Sequence, residues 1–197
     1  MATDLSGKTI LVCVTGGIAA YKVCDVVSKL AQRGAAVHVA MTEAATHFVG
    51  PVTFQALTNK PVFTSLWQSA ADVPIPHINV AQGADLVLVA PATADILGKL
   101  AHGIADDLVS TMLLAVEPRR VLLAPSMNAQ MRNHPATQRN CRQVFGDGAE
   151  FVGPGEGWQA CRTVGAGRMS EPAEILEAVA KKLAALAAQT APQHLAP

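Results

Sequence analysis

The 197-residue chain has few charged and few aromatic side chains. Only 15% of its residues are charged and 4% are aromatic, and its 15 Lys and Arg balance its 15 Asp and Glu. A neutral chain lacks the basic surface that nucleic acids and anionic membranes attract, and scarce aromatics leave few platforms for stacked bases. We therefore predict a small-molecule partner, with no nucleic acid and no membrane. The low charge density also indicates that apolar surface lies against other subunits.

Long apolar runs and paired cysteines are missing as well. No run approaches the roughly 20 residues that span a bilayer, and residues 1–7 are too polar for a signal peptide. The four cysteines, Cys13, Cys24, Cys141 and Cys161, show no CxxC or other metal-finger spacing. Because Cys13 lies in an apolar run and Cys24 on a predicted helix, we interpret both as core residues. These absences favour a cytoplasmic protein with free thiols and no metal site.

Short β-branched runs alternate with helical patterns along most of the chain. This alternation is typical of an α/β fold in which helices cover both faces of a parallel sheet. The predicted strands are 8–14, 36–41, 84–90, 119–124 and 150–152. Thr42 is a plausible N-cap for a helix that starts near Glu43. The length fits one domain, which we place at 1–189, with 190–197 as a flexible tail or the start of a linker.

Two stretches give no periodic pattern. Residues 50–76 contain four prolines and only a short helical piece, so their structure is the least clear. Residues 153–168 contain five glycines and one proline, and we predict a mobile loop there.

Small and hydroxyl side chains follow four of the predicted strands. In an open parallel sheet, ligands bind at the carboxyl ends of the strands, near the point where strand order reverses. These ends are Thr15-Gly16-Gly17-Ile18, Thr42-Glu43, Pro91-Ala92-Thr93-Ala94-Asp95 and Pro125-Ser126-Met127-Asn128. Helix N-termini bind anions well, so the spacing predicts a phosphate-bearing ligand such as a mononucleotide. The glycines fit neither GxGxxG nor the P-loop, and they could instead simply permit a tight turn.

Four segments together resemble one family, the homo-oligomeric flavin-containing cysteine decarboxylases. They are 16–22 (GGIAAYK), 91–99 (PATADILGK), 125–131 (PSMNAQM) and 160–169 (ACRTVGAGRM). The resemblance runs from about residue 8 to residue 183, with the motifs in the expected order. It implies a flavodoxin-like (Rossmann-like) three-layer fold, FMN bound near subunit contacts, and homo-trimers that can assemble into dodecamers.

The resemblance also implies which residues bind FMN. Carried over by position, they are Gly16, Gly17, Ile18, Thr42, Glu43, Ala44, Thr93, Ala94, Asp95, Ile96 and Ser126. Ser126 departs from the family pattern, which usually has alanine at this position.

Three residues match the family's catalytic positions, namely His77, Asn128 and Cys161. The substrate-binding positions implied are Asn128, Met131 and Ala160. Four of these residues have an alternative interpretation: His77 as an ordinary surface or core histidine, Asn128 as an N-cap, Met131 as a core methionine and Cys161 as an incidental thiol. Cys161 lies in the glycine-rich stretch, which resembles a flap that closes over substrate.

The activity that the resemblance implies is decarboxylation of 4′-phosphopantothenoylcysteine to 4′-phosphopantetheine in coenzyme A biosynthesis. FMN would oxidise the thiol-bearing carbon to a thioaldehyde, which then serves as the electron sink for loss of CO2. The resulting enethiol would be reduced again by the flavin. His77 would act as base or electrostatic partner, Asn128 would orient the carboxylate, and Cys161 would supply the proton.

Alternatives remain on the same fold. A peptidyl-cysteine decarboxylase of lanthipeptide maturation would share the catalytic core, whereas a flavin prenyltransferase resembles neither the His77 nor the Cys161 segment. A non-catalytic FMN-binding regulatory subunit is the alternative from another class. Many bacterial decarboxylases of this kind are fused to a synthetase, so the chain could be a whole enzyme or a fragment.

Overall fold

The computed structural model describes residues 3–67, 76–158 and 164–190. Its strands are β1 (Thr9–Val14), β2 (Ala36–Met41), β3 (Val62–Phe63), β4 (Leu86–Ala92), β5 (Val121–Pro125), β6 (Glu150–Phe151), β7 (Gly155–Trp158) and β8 (Val164–Arg168). Its α-helices are α1 (Ala20–Gln32), α2 (Glu43–Thr46), α3 (Pro51–Thr58), α4 (Pro76–Gly83), α5 (Ala94–His102), α6 (Leu108–Leu114), α7 (Ala129–Asn133), α8 (Pro135–Gly146) and α9 (Pro172–Thr190).

Strands β1 to β6 form one parallel sheet in the order β3-β2-β1-β4-β5-β6. The predicted three-layer α/β fold is confirmed, and this strand order is the one that characterises doubly wound Rossmann sheets. The chain leaves β1 toward β2 on one side and reaches β4 on the other. The topological switch point therefore lies between the carboxyl ends of β1 and β4.

The central strands are buried because helices cover both faces. Alternate residues of β1 enter two separate cores: Ile10, Val12 and Val14 pack with α1, α3 and α9, whereas Leu11 and Cys13 pack with the opposite helices. All seven residues of β4 are buried, which explains why this strand is a continuous apolar run in the sequence. Cys13 is buried and Cys24 packs against the first core, as predicted.

Hydroxyl side chains fix where two helices begin at the carboxyl edge. Thr42 Oγ1 accepts a hydrogen bond from the Ala45 N–H (3.2 Å), which confirms the predicted N-cap of α2. Thr93 Oγ1 accepts from the Ile96 N–H (3.5 Å) at the start of α5. Both helices therefore start directly where a strand ends.

The prediction of a loop at 153–168 is wrong for residues 155–158 and 164–168, which form two strands. β7 and β8 pair as an antiparallel hairpin, while residues 159–163 lie outside the described part of the chain. The strands escape sequence analysis because a two-stranded ribbon is held by backbone hydrogen bonds, and its glycines carry no apolar pattern. Strand β3 lies within the region 50–76 that gave no clear pattern, and helix α4 begins at the last residue of that region. Within the described residues, no helix is long and apolar enough to cross a membrane.

Candidate active site

A cavity of about 1000 Å³ opens at the carboxyl edge of the sheet, over the switch point. Its lining residues are Thr15, Gly16, Gly17, Ile18, Ala19, Tyr21, Lys22, Thr42, Glu43, Ala44, Thr93, Ala94, Asp95, Lys99, Asp107, Ser126, Met127, Asn128, Met131, Gly167, Arg168 and Met169. All four strand ends that were predicted to bind a ligand contribute to it. The volume is at the upper end of what small-molecule and cofactor sites usually occupy.

Thr15 joins the ends of β1 and β4 at the floor of the cavity. Its buried hydroxyl donates to the Pro91 carbonyl (2.5 Å) and lies 3.2 Å from Thr93 Oγ1. The Thr93 N–H donates back to Thr15 Oγ1 (3.3 Å). Two helix-starting turns are thereby held in a fixed relation at the switch point.

The first two turns approach each other closely at Gly16. A Cβ added to Gly16 would lie 2.4 Å from the Ala44 Cβ, far inside van der Waals contact. A Cβ on Gly17 would meet Pro91 and Thr93 atoms only at 3.5 Å, which is ordinary contact distance. Of the two glycines, Gly16 is the one that the close approach requires.

Helix α1 directs its N-terminus into the cavity without a side-chain cap. Its N-cap residue is Ala19, which makes no capping hydrogen bond through its side chain. The first N–H groups of a helix lack intrahelical acceptors and carry partial positive charge. This end of a 13-residue helix is therefore suited to an anionic group of a ligand.

Two basic residues of the cavity wall share one carboxylate. Lys22 Nζ lies 3.1 Å from both carboxylate oxygens of Glu171, and Arg168 forms a second ion pair with the same group. The Lys22 ammonium is the main cause that lowers the pKa of Glu171, with Arg168 contributing. The three residues connect α1, the hairpin and the start of α9.

Lys99 forms the centre of an acidic cluster on the other wall. Its Nζ lies 2.6 Å from Asp107, 2.8 Å from Asp106 and 3.6 Å from Asp95. Burial opposes its charge, but the hydrogen bonds to Asp106 and Asp107 outweigh burial and raise the pKa of Lys99. Lys99 therefore stays protonated at neutral pH.

Asp107 has a second structural role in this cluster. Its side chain accepts from the Ser110 N–H (2.9 Å), and the Ser110 hydroxyl in turn accepts from the Asp107 N–H (3.1 Å), forming a capping box at α6. Burial alone would raise the pKa of Asp107, whereas the hydrogen bonds from Lys99 and Ser110 lower it overall.

The ion pairs of Lys22 and Lys99 were not predicted from the sequence, although both residues stand at the end of motifs that carry the family resemblance. The four-residue spacing of Asp95 and Lys99 on α5 was an available signal, because it places the two on one helix face. Nothing in the local sequence relates Lys22 to Glu171.

The rim of the cavity is apolar and exposed. Ile18, Tyr21 and Met131 are 56%, 60% and 50% exposed. The interpretation of Met131 as a core methionine is therefore wrong. An exposed apolar rim is suited to a ring system of a ligand or to another protein surface.

The position of Asn128 is compatible with both of its predicted interpretations, a substrate-binding residue and an N-cap. It lines the cavity and is also the N-cap of α7, where its Oδ1 accepts from the Gln130 N–H (2.8 Å). Ser126, next to it, donates its backbone N–H to the Ala92 carbonyl (3.0 Å) and faces the same cavity.

The hairpin contributes its second strand to the cavity wall. The Met127 N–H donates to the Gly167 carbonyl (2.9 Å), and a Cβ on Gly165 would lie 3.2 Å from the Ala129 Cβ. The hairpin thus packs closely against α7. The predicted site residues Ala160 and Cys161, between its strands, lie outside the described residues.

Most of the other predicted site residues meet at this cavity. Those that line it are Gly16, Gly17, Ile18, Thr42, Glu43, Ala44, Thr93, Ala94, Asp95, Ser126, Asn128 and Met131. Ile96 instead buries its side chain in the core beneath. His77 lies near the start of α4, half-buried and outside the lining of the cavity. In the parts of the chain that are described, no His, Cys, Asp and Glu cluster could hold a metal ion.

Comparison with known proteins identifies relatives over nearly the whole chain. The coenzyme A biosynthesis bifunctional protein CoaBC of Bacillus subtilis (strain 168) is 48% identical over 180 residues, which cover 91% of this chain and 44% of that protein. The chain thus spans less than half the length of this relative.

Two solved structures are similar in fold and sequence. A cysteine-to-serine variant of PPC decarboxylase, in complex with pantothenoylaminoethenethiol, matches with a TM-score of 0.79 and 26% identity, covering 87% of this chain and 96% of that one. The FMN-dependent cysteine decarboxylase SpaF matches with a TM-score of 0.78 and 30% identity, covering 93% of this chain and 99% of that one.

A protein-family model also matches most of the chain. The Flavoprotein model matches residues 1–184, a range that contains every residue of the cavity described above. This chain therefore belongs to the Flavoprotein family.

Proposed function

We propose that this chain is an FMN-dependent decarboxylase that converts 4′-phosphopantothenoylcysteine to 4′-phosphopantetheine in coenzyme A biosynthesis, in the cytoplasm. The observation that carries the proposal is the convergence of three family motifs, at Gly16, Thr93 and Asn128, on one cavity. Its similarity to CoaBC and to PPC decarboxylase supports the same substrate. The domain that performs the reaction would comprise residues 1–189.

The cavity fits FMN in size and in the distribution of its groups. The uncapped N-terminus of α1 suits the phosphate, and the absence of a side chain at Gly16 lets two loops form one continuous cradle. The exposed side chains of Ile18 and Tyr21 suit an aromatic ring system. When bound, FMN would accept a hydride from the substrate and later return it.

Asn128 and Met131 would position the substrate. Both line the cavity on α7, and the side-chain amide of Asn128 can donate hydrogen bonds to a carboxylate. Because its Oδ1 is engaged by the Gln130 N–H (2.8 Å), the orientation of that amide is fixed. A fixed donor would hold the carboxylate in one orientation for loss of CO2.

His77 and Cys161 would move protons, the former as base or electrostatic partner and the latter as acid. Helix α4 leads directly into β4, so the start of α4 lies toward the carboxyl edge. His77 nevertheless does not line the cavity of its own chain. A homo-trimer, or a dodecamer built from four such trimers, would allow His77 of one copy to complete the site of the next, across the apolar rim.

The decisive experiment supplies FMN and phosphopantothenoylcysteine to the purified chain and measures CO2 and products by mass. We expect CO2 and the saturated 4′-phosphopantetheine. Cys161→Ser should release CO2 but fail to form the saturated product at the wild-type rate, and His77→Asn should lose decarboxylation. Absence of CO2 from wild-type protein that retains its flavin would overturn the proposal.

A peptidyl-cysteine decarboxylase is the second candidate, because the FMN-dependent cysteine decarboxylase SpaF is 30% identical over 93% of this chain, and the peptidyl-cysteine decarboxylase EpiD shares the fold with a TM-score of 0.72. The same assay with a peptide that ends in cysteine separates the two. CO2 release from the peptide alone would favour this candidate. Flavin binding without turnover of either compound would favour a non-catalytic FMN-binding subunit.

A further inference from the structure

The segment 118–146 is basic throughout, in a chain of zero net charge. It contains five arginines and no aspartate or glutamate. Arg119 and Arg120 pair with Glu117 just outside it. Arg132, Arg139 and Arg142 have no carboxylate of the described residues within salt-bridge distance. The first of them, Arg132, follows the cavity-lining residue Met131 in the sequence.

Arg132 lies next to the part of the cavity proposed to bind substrate. Its backbone N–H donates to the Asn128 carbonyl (2.9 Å), which places it one helical turn beyond Asn128. Residues three and four apart share a face of a helix. Asn128, Met131 and Arg132 therefore form one stripe on α7, and the first two line the cavity. Arg132 is half-buried, so its position is more restricted than that of a free surface arginine.

A second arginine without a carboxylate partner among the described residues, Arg142, lies on the neighbouring helix α8. Burial raises the pKa of the Cys141 thiol, and the guanidinium groups of both Arg132 and Arg142 oppose that effect. The two cations are thus within electrostatic range of one sulfur atom. The Gln138 side chain donates to the Arg132 carbonyl (2.7 Å) and fixes α7 against α8.

The half-buried guanidinium group of Arg132, with no carboxylate of the described residues in salt-bridge range, would be stabilised by a bound anion. Guanidinium groups match phosphate geometry, since they donate two parallel N–H bonds. The uncapped start of α1, on another wall, already suits the phosphate of FMN. The substrate proposed above carries its own phosphate at the end remote from its cysteine.

We infer that Arg132 binds the terminal phosphate of the substrate and makes the enzyme select phosphorylated over unphosphorylated pantothenoylcysteine. The inference rests on the proposed function. It assigns a specificity-determining role outside the cavity itself, one turn along α7 from the residue that holds the carboxylate.

The test compares kcat and KM for phosphopantothenoylcysteine and for pantothenoylcysteine, with FMN bound in all samples. Arg132→Gln should raise KM about tenfold to a hundredfold for the phosphorylated substrate, as expected for loss of a charged hydrogen bond. The kcat should change little, because the phosphate is remote from the reacting atoms. KM for the unphosphorylated substrate should not change, and this also shows that the variant is folded.

Two further variants sharpen the result. Arg132→Lys should recover part of the loss, since it keeps the charge without the fork of donors. Arg119→Gln, an exposed arginine before β5, should behave as wild type with both substrates. Flavin absorbance per chain should be equal in all variants.

An unchanged KM in Arg132→Gln, or an equal rise for both substrates, would overturn the inference while leaving the proposed function intact. Wild-type protein that releases CO2 from neither substrate would overturn the proposed function, and the inference with it.

Discussion

Gly16 illustrates how a missing side chain can shape a binding site. Its turn ends β1, and the turn after β2 comes so near that a Cβ would lie 2.4 Å from the Ala44 Cβ. The glycine is required by a neighbour distant in sequence, because its own backbone conformation is not the left-handed one that favours glycine.

Gly16→Ala should therefore separate the first two turns. We expect a loss of about 1–3 kcal/mol in the free energy of unfolding, as is usual for overpacked sites, together with a marked loss of bound flavin. Urea denaturation and flavin absorbance per chain measure the two effects. Gly83→Ala is the matched control, since a Cβ there meets no atom within 4 Å, and it should leave both quantities unchanged. Wild-type flavin retention in Gly16→Ala would contradict the prediction.

The pair of Lys99 and Asp107 makes stability depend on acid pH. The pKa of Asp107 is lowered on folding below its ordinary value of 3.8. A carboxyl with a depressed folded pKa stabilises the protein at every pH above its unfolded pKa, and this contribution is lost as the pH falls toward the folded pKa.

Asp107→Asn should accordingly cost about 1 kcal/mol near neutral pH, where the Lys99 ion pair is formed. The difference from wild type should shrink as the pH falls below the ordinary aspartate value of 3.8. Asparagine keeps the N-cap, so the change isolates the charge. Asp25→Asn, in an exposed pair with Lys29, should have little effect at any pH. A difference that stays constant with pH would show that the charge of Asp107 does not stabilise the fold.

Strands and helices were predictable where their apolar pattern is regular. β2 occurs at the predicted residues, and the start of α2 follows from the N-cap Thr42. The hairpin of β7 and β8 was not predictable. Its glycines give no alternation of apolar and polar side chains, and each strand forms only by pairing with the other. Its position is set by contacts made elsewhere, to Met127 and Ala129.

Gly165→Val should displace the hairpin from α7. A Cβ at this position already lies 3.2 Å from Ala129, so a branched side chain cannot fit without movement. We expect faster hydrogen exchange of the Met127 N–H, which donates to the Gly167 carbonyl (2.9 Å), and a higher KM for substrate. Gly155→Val provides the control, since a Cβ there has its nearest neighbour at 3.9 Å. Unchanged protection of the Met127 N–H would show that the hairpin tolerates the added bulk.

At the scale of the whole molecule, the position of the candidate site was predictable from the sequence, whereas the interactions inside it were not. The rule that ligands bind at the carboxyl edge follows from topology alone, and it correctly grouped the turns at Gly16, Thr42, Thr93 and Asn128. The ion pairs on the cavity walls depend on three-dimensional packing and were missed. The place of His77 outside the cavity was also unpredictable, because the expectation was drawn from motif position and not from geometry.

The proposed sharing of sites between chains of a homo-oligomer predicts how mixed assemblies behave. Co-expressed His77→Asn and Cys161→Ser chains should regain part of the wild-type yield of saturated product, because some sites would combine an intact His77 from one chain with an intact Cys161 from another. Each variant alone, purified in the same way, provides the baseline. If both residues of a site come from one chain, every site of the mixture is defective, and no activity should return.

The ion pair between Lys22 and Glu171 joins residues 149 positions apart. On the ribosome the first turn is therefore made on the order of ten seconds before the hairpin and α9 that complete its wall. A nascent chain would present a half-built cradle with Lys22 not yet neutralised by its carboxylate. Stable capture of the flavin is thus expected to be a late event in biosynthesis, after nearly the whole domain has emerged.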